Sequence, residues 1–435
     1  MLGLRRVPAV RGDERLAEPR PQLDLESITL GAGRQARKDH ERLPHEAGAL
    51  AVGAAGEGVL GRAAQEAHGV RRLAGLQQVV GDRELLVSVL LTLATLQEVR
   101  GEPAAALRTA EAGARLAGGV LDRRLDAQEL LACSHFHQGA FERALQHAEQ
   151  GTDLFTEGEQ AGHYDDFPAL LGDNAGVACH DWAALATWFL GRPDTALRRA
   201  RHALRLAHEP ERAYGLAPAF AQLAMIHQLR REPSDTLRAA ETTIKLAQAH
   251  GYAFREATGR VLAGWATAAL GSPREGIAEL ARGLAAARAT GARMEDPYFQ
   301  SLLADASLEA ADVDGGLAAV EEGLRVARRE HIVFCDPELL RLRAGLLRAG
   351  GAPADEVVAE LERAIALARE QRSRVLELRA AVDLASLRWE AGAPADARRV
   401  VAEVYERFHE GFATPDLREA AAILRAPTVP PAATP

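Results

Sequence analysis

The chain is nearly without lysine. Of its 52 basic residues only Lys38 and Lys245 are lysines, and the rest are arginine, the bias of a GC-rich coding sequence. A phosphate-binding P-loop ends in Gly-Lys-Ser/Thr, with the lysine on the phosphates. Neither lysine follows a suitable glycine, so that chemistry is not expected. Cysteine is scarce too: Cys133, Cys179 and Cys335 are too few and too scattered for a disulfide framework. Aromatic residues make up 5%, and isoleucine, threonine and tyrosine are sparse, which argues against a β-sandwich or barrel. No apolar run reaches the ~18 residues a membrane helix needs. The opening Met1-Leu2-Gly3-Leu4-Arg5-Arg6 leads into proline and charge rather than a signal-peptide core. A net charge of −9 opposes a global attraction to nucleic acid. A reduced cytoplasmic protein is expected, with no nucleic-acid partner and no membrane partner.

What the chain has is alanine, leucine, arginine and glutamate, with 47% apolar residues. It also has an internal repeat, and the repeat decides the fold. Gly-x-Pro recurs as Gly101-Glu102-Pro103, Gly191-Arg192-Pro193, Gly271-Ser272-Pro273, Gly351-Ala352-Pro353 and Gly392-Ala393-Pro394. Arg231-Glu232-Pro233 and Ala311-Asp312-Val313 fill two slots without the glycine, and Gly139-Ala140-Phe141 adds one upstream. The prolines at 193, 233, 273, 353 and 394 are 40, 40, 80 and 41 residues apart. Glycine closes a helix in the left-handed conformation, and proline two residues later suits the first turn of the next helix. Each unit therefore reads helix, tight turn, helix.

The flanks carry one-face periodicity. After Pro193, small and apolar residues fall at Ala196, Leu197, Ala200, Ala203 and Leu204, the i, i+3, i+4, i+7 pattern. In the first helix of each pair a small residue stands seven positions before the turn: Ala94, Ala132, Ala184, Ala224, Gly264, Ala304 and Ala385. Together these are the tetratricopeptide pattern stretched from 34 residues to about 40. The expected fold is all-α, a right-handed α-α superhelix: a tetratricopeptide-like solenoid of about eight helix pairs with a concave groove. The array is expected over residues 63–425. Residues 1–62 lack a steady helical period and read as a disordered segment or a gene-model artefact, and 426–435 as a proline-rich tail. The polar insertion at 157–168 reads as a loop.

Several stretches resemble a known group: Asp173-Asn174-Ala175-Gly176-Val177-Ala178-Cys179 with Trp182, Trp188 and Gly191-Arg192-Pro193; Ile226-His227-Gln228-Leu229-Arg230; Gly264-Trp265-Ala266; Ala289-Thr290-Gly291-Ala292 with Pro297-Tyr298-Phe299; and Glu410-Gly411-Phe412 with Asp416-Leu417 and Glu419-Ala420. Over roughly residues 84–425 the chain resembles the C-terminal tetratricopeptide region of large bacterial predicted ATPases that carry an N-terminal class III adenylate/guanylate cyclase domain. The resemblance implies the sensor or interaction arm of a signalling protein. No motif of the cyclase or ATPase domains is present in this sequence.

Local constellations suggest no chemistry of their own. Cys133 and His137 share one helix face, with His135 off it, and there is no Cys-x-x-Cys or His-Glu-x-x-His to complete a metal site. An interhelical or surface role is expected for them, and no cofactor. Asp165, Asp166 and Asp173 read as a solvated loop and helix N-terminus. Arg198, Arg199, Arg201 and Arg205 read as a solvated basic face. A non-enzymatic scaffold for protein–protein interaction is therefore expected, with self-association possible; the alternatives are a fragment of an active cyclase-type signalling ATPase whose catalytic domains lie upstream, and a small-molecule effector sensor. First helices line the groove of such arrays. By repeat phase the candidates for partner contact are Asp181, Trp188, Met225, Gln228, Trp265, Tyr298, Asp305 and Trp389.

Overall fold

The computed structural model describes residues 83–161, 174–208 and 215–426. The expectations for 1–62 and for the tail after Ala426 lie outside these residues, as does the start of the array before Arg83. Among the described residues there are seventeen helices and no strand. They run α1 (Arg83–Val99), α2 (Pro103–Ala117), α3 (Leu121–His137), α4 (Phe141–Ala161), α5 (Ala175–Phe189), α6 (Pro193–Ala207), α7 (Leu216–Leu229), α8 (Pro233–His250) and α9 (Ala253–Ala269). Then follow α10 (Pro273–Ala289), α11 (Asp296–Glu309), α12 (Val313–Glu330), α13 (Asp336–Ala349), α14 (Ala354–Glu370), α15 (Arg374–Glu390), α16 (Pro394–Tyr405) and α17 (Pro415–Arg425). The result is a tetratricopeptide-like solenoid of eight helix pairs and a closing helix.

The turn chemistry works as the spacing requires. Gly101, Gly139, Gly191, Gly271, Gly351 and Gly392 all have positive φ, and Pro103, Pro193, Pro233, Pro273 and Pro394 begin the second helices. At the two slots without glycine, Arg231 and Ala311 take the same left-handed conformation, with φ of 58° and 57°. At the second of these, Asp312 replaces the missing proline as a cap, accepting the Gly315 N–H. A left-handed alanine is strained by about 1–2 kcal/mol, and glycine would return some of that as unfolded-state entropy. Ala311→Gly should therefore stabilise the protein by about 0.5–1 kcal/mol, read as a higher urea midpoint with an unchanged slope.

The insertion at 157–168 is a loop only in part, because α4 runs on to Ala161. The added length is held by Leu154 and Phe155, which are buried against Leu125 and Cys179. A polar surface on the outer turn does not stop a helix whose inner face is covered.

The coil is wound tightly enough for its successive turns to touch. Each of the first four intra-pair turns meets the chain that follows the pair four places further on, either the connection itself or the start of the next helix. The Arg293 amide donates to the Val99 carbonyl at 2.8 Å, and the Val333 amide to the His137 carbonyl at 2.8 Å. A Cβ on Gly191 would stand 2.9 Å from Cβ of Arg374. Arg231 donates to Asp416 at 3.2 Å and to Glu419 at 2.7 Å. The segment before α17 also caps α6: Glu410 accepts from the Thr195 N–H and hydroxyl, each at 2.7 Å, and the Gly411 N–H donates to Asp194. A carboxylate at a helix N-terminus is favoured by the orphan N–H groups and the dipole. Inside the coil, Phe136 and Phe189 meet Phe334 at 4.9 and 6.1 Å between ring centroids. Side chains from two successive turns of the coil thus fill the axis there.

Along this seam Asp336 opens α13 while buried, with no hydrogen bond on Oδ1. Burial pushes its carboxyl up to about 7, with Arg328 pulling the other way. A carboxyl raised above its unfolded value stabilises the fold while protonated, and that contribution is lost as pH rises from the unfolded value near 4 to about 7. The stability difference between Asp336→Asn and the parent should therefore grow in favour of asparagine across that window. Urea titrations of both proteins at pH 5 and pH 8 would check the sign.

Candidate functional site

The inner face of the second half of the coil encloses a chamber of about 390 Å³. Its walls are the first helices of pairs four to eight, with α17 as the closing side. Gln228, Trp265, Asp305, Glu338, Arg341, Arg379 and Asp383 line it, with Arg231, Asp416 and Glu419 where the coil shuts and Glu309 at the edge. The small residues in those helices let the walls approach: Ala224, Gly264, Ala304 and Ala385 bring the paired backbones together, so the large inward residues converge.

A charge network runs around the chamber. Arg379 donates to both Asp416 oxygens at 3.1 Å, to Glu338 at 3.3 Å and to the Leu229 carbonyl at 2.6 Å. Its guanidinium lies 5.2 Å over the Trp188 ring. Arg341 holds Glu338 at 2.8 Å and Asp383 at 2.9 Å. Burial works to raise the Glu338 carboxyl, yet Arg341 and Arg379 hold it down to about 2. Asp305 accepts the Trp265 indole N–H at 2.8 Å, a neutral donor that leaves its charge in place. The lining holds six carboxylates (Asp305, Glu309, Glu338, Asp383, Asp416 and Glu419) and three guanidiniums (Arg231, Arg341 and Arg379), and each guanidinium already serves a carboxylate. The lining therefore holds three more carboxylates than guanidiniums.

The residues singled out by repeat phase divide three ways. Gln228, Trp265 and Asp305 line the chamber. Trp188, Met225 and Tyr298 are buried; Trp188 packs under Arg379, and the Tyr298 hydroxyl donates to Gln228 at 2.7 Å. Asp181 faces a separate cavity of about 100 Å³ in the first half of the coil, and Trp389 lies half-buried under Arg398. Repeat phase missed Arg379, Arg341, Glu338 and Asp416. The first three do stand on first helices, but a charge on a helix has no sequence signal separating an inward network from a solvated face. Among the basic residues of α6, Arg199 is tied to Glu149 at 2.5 Å and Arg205 contacts His202.

The Cys133–His137 pair does not lie on a surface. Both side chains are buried, and Glu98 of α1 joins them. His147 bonds Gln128 at 2.7 Å, and His180 packs on His202. His163, Asp165, Asp166 and Asp173 lie outside the described residues. Among those described, no helix is long and apolar enough to cross a membrane.

No protein-family model matches the chain, and no curated protein matches it. Solved structures are similar to it as folds. One is a Rap protein complexed with competence and sporulation factor, at 12% identity, covering 78% of this chain and 96% of that one, with a TM-score of 0.47. Another is the aspartyl phosphate phosphatase F of Bacillus subtilis, at 11% identity, covering 92% and 98%, with a TM-score of 0.44. A third is a signal-transduction ATPase with a tetratricopeptide repeat sensor from Pyrococcus horikoshii, at 14% identity, covering 79% of this chain and 50% of that one, with a TM-score of 0.41.

Proposed function

We propose that the chain is a non-catalytic scaffold that receives a basic peptide segment of a partner protein in the chamber. The observation that carries this reading is the uncompensated acid there: six carboxylates against three guanidiniums that are already paired. An enclosed negative field favours a cationic guest and disfavours an acidic one. The buried Trp265 indole holds Asp305 in place through its N–H, and a fixed carboxylate suits a lysine or arginine side chain. The volume falls within the range of small-ligand pockets, roughly 300–1,000 Å³, so it accommodates a few side chains rather than a folded domain.

Selection of displayed peptides on the full chain tests this. Enrichment of Lys- and Arg-bearing sequences, with binding weakened at least tenfold in Asp305→Asn, supports it. Enrichment of acidic or purely apolar sequences contradicts it, and so does binding of a small polar metabolite where no peptide binds.

We further infer that such a scaffold serves as the regulatory arm of a cyclase- or ATPase-type signalling protein. The sequence resemblance supports that assignment. Reading the genomic DNA ahead of codon 84 in all frames checks it. An open frame encoding Gly-x-x-x-x-Gly-Lys-Ser/Thr is the expected finding, and unrelated genes there would remove the basis for the assignment.

A further inference from the structure

Glu98, at the end of α1, and Cys133 and His137, one turn apart on α3, bring a carboxylate, a thiol and an imidazole to one point in the first half of the coil. Their side chains are all buried, and their candidate ligand atoms lie within 4.8 Å of one another. His137 Nδ1 is 3.1 Å from Glu98 Oε2 and 3.6 Å from Cys133 Sγ. Tetrahedral zinc, with bonds of about 2.0–2.1 Å to N and O and about 2.3 Å to S, sets N···O near 3.3 Å and N···S near 3.6 Å. The two edges that meet at His137 Nδ1 are thus spaced as in that tetrahedron, and the third, from Cys133 Sγ to the carboxylate, is no longer than 4.8 Å.

Three further observations point the same way. A thiolate and a carboxylate together neutralise a divalent cation, so the loaded cluster adds no net charge to the interior. Ser134 donates its hydroxyl to Glu98 Oε1, an outer hydrogen bond that orients the carboxylate and leaves Oε2 for a metal. Beside Glu98 and Cys133 the cavity of about 100 Å³ has room for a fourth ligand such as water.

We propose that Glu98, Cys133 and His137 bind one divalent transition-metal ion, zinc by the mixed sulfur, nitrogen and oxygen set. On uptake the Cys133 thiol gives its proton to solvent and binds as thiolate. The imidazole binds through Nδ1 and keeps its proton on Nε2. The ion fastens α1 to α3 at the seam, next to the His137 carbonyl that receives the Val333 amide.

The test uses the full chain, purified without a metal-affinity tag. Zinc is measured by elemental analysis, and cobalt(II) is then added to the stripped protein. The expected result is about one zinc per chain and, with cobalt, the visible bands and sulfur charge-transfer band of a tetrahedral thiolate site. Cys133→Ser should abolish the charge-transfer band, whereas Cys335→Ser, at a buried cysteine elsewhere, should keep it. Ser134→Ala should keep the spectrum but weaken binding about 10–100-fold. A circular dichroism spectrum confirms that each variant is helical. Substoichiometric zinc with no tetrahedral cobalt spectrum in the folded parent overturns the proposal, as does a charge-transfer band that survives Cys133→Ser.

Discussion

Replacing Arg379 with leucine should destabilise the protein by about 3–5 kcal/mol, the usual effect of stripping one partner from a buried ion network. The arginine side chain is 9% exposed and its two carboxylate partners, Asp416 and Glu338, are 6% and 14% exposed. Leucine fills part of the volume and leaves both carboxylates short of a cation. Arg231 and Arg341 remain beside them, so the lower half of the range is the better expectation.

The pH dependence identifies the cause. Glu338 titrates at about 2 in the fold against an ordinary value of 4.5. Its depressed carboxyl contributes stability that is present above the ordinary value and lost as pH falls from there to about 2. Without Arg379 that depression shrinks. The gap between parent and variant should be full at pH 7 and narrower at pH 3, as read by urea denaturation. A gap independent of pH would mean that the loss came from packing against Trp188 instead. Since α17 is held to the rest of the coil through Asp416, the same variant should also expose the chain around Pro415 to proteolysis.

The second large effect concerns helix contact rather than charge. Gly276→Ala should destabilise by about 1–3 kcal/mol, although helix propensity by itself favours alanine by about 1 kcal/mol. A Cβ at position 276 would lie 2.5 Å from the Gly264 carbonyl oxygen and 2.6 Å from the Ala268 amide nitrogen. Those neighbours are backbone, so relief requires α9 and α10 to move apart. Gly345→Ala is the contrast, because there the added methyl meets only a Leu308 side-chain end at 3.1 Å, which can turn aside. That variant should be neutral or gain up to about 1 kcal/mol. Thermal or chemical unfolding of the pair separates propensity from packing with one methyl group each.

Much of the fold is legible in the sequence because its determinants are local. Gly191-Arg192-Pro193 specifies a turn from its own residues, and Ala184 and Ala196 show which faces of the flanking helices pack. Even the slots that break the motif keep the geometry, since Ala311 accepts the strained conformation and Asp312 caps the helix. The seam is of another kind. Val333 meets His137 only because small rotations add up over four repeats, and Glu410 meets Thr195 over five, and no short-range pattern records that sum. The winding also decides what an inward residue becomes. Repeat phase marks both Trp188 and Trp265, but the first lies under Arg379 in the packed interior and the second lines a chamber. Glu98 shows the same limit. Cys133 and His137 announce each other by their spacing, whereas their carboxylate neighbour comes from another helix pair and carries no mark.

The chamber as a receptor for a basic segment is best tested by crosslinking in the cells that make the protein. A photoreactive amino acid is placed at Glu309, on the exposed edge of the chamber, and separately at Arg282, whose side chain is 70% exposed on the outer face of α10. The expected result is a discrete adduct from position 309 alone, with a trapped peptide rich in lysine or arginine, lost when Asp305→Asn is added. Equal labelling from both positions, or a discrete adduct only from position 282, would contradict the account.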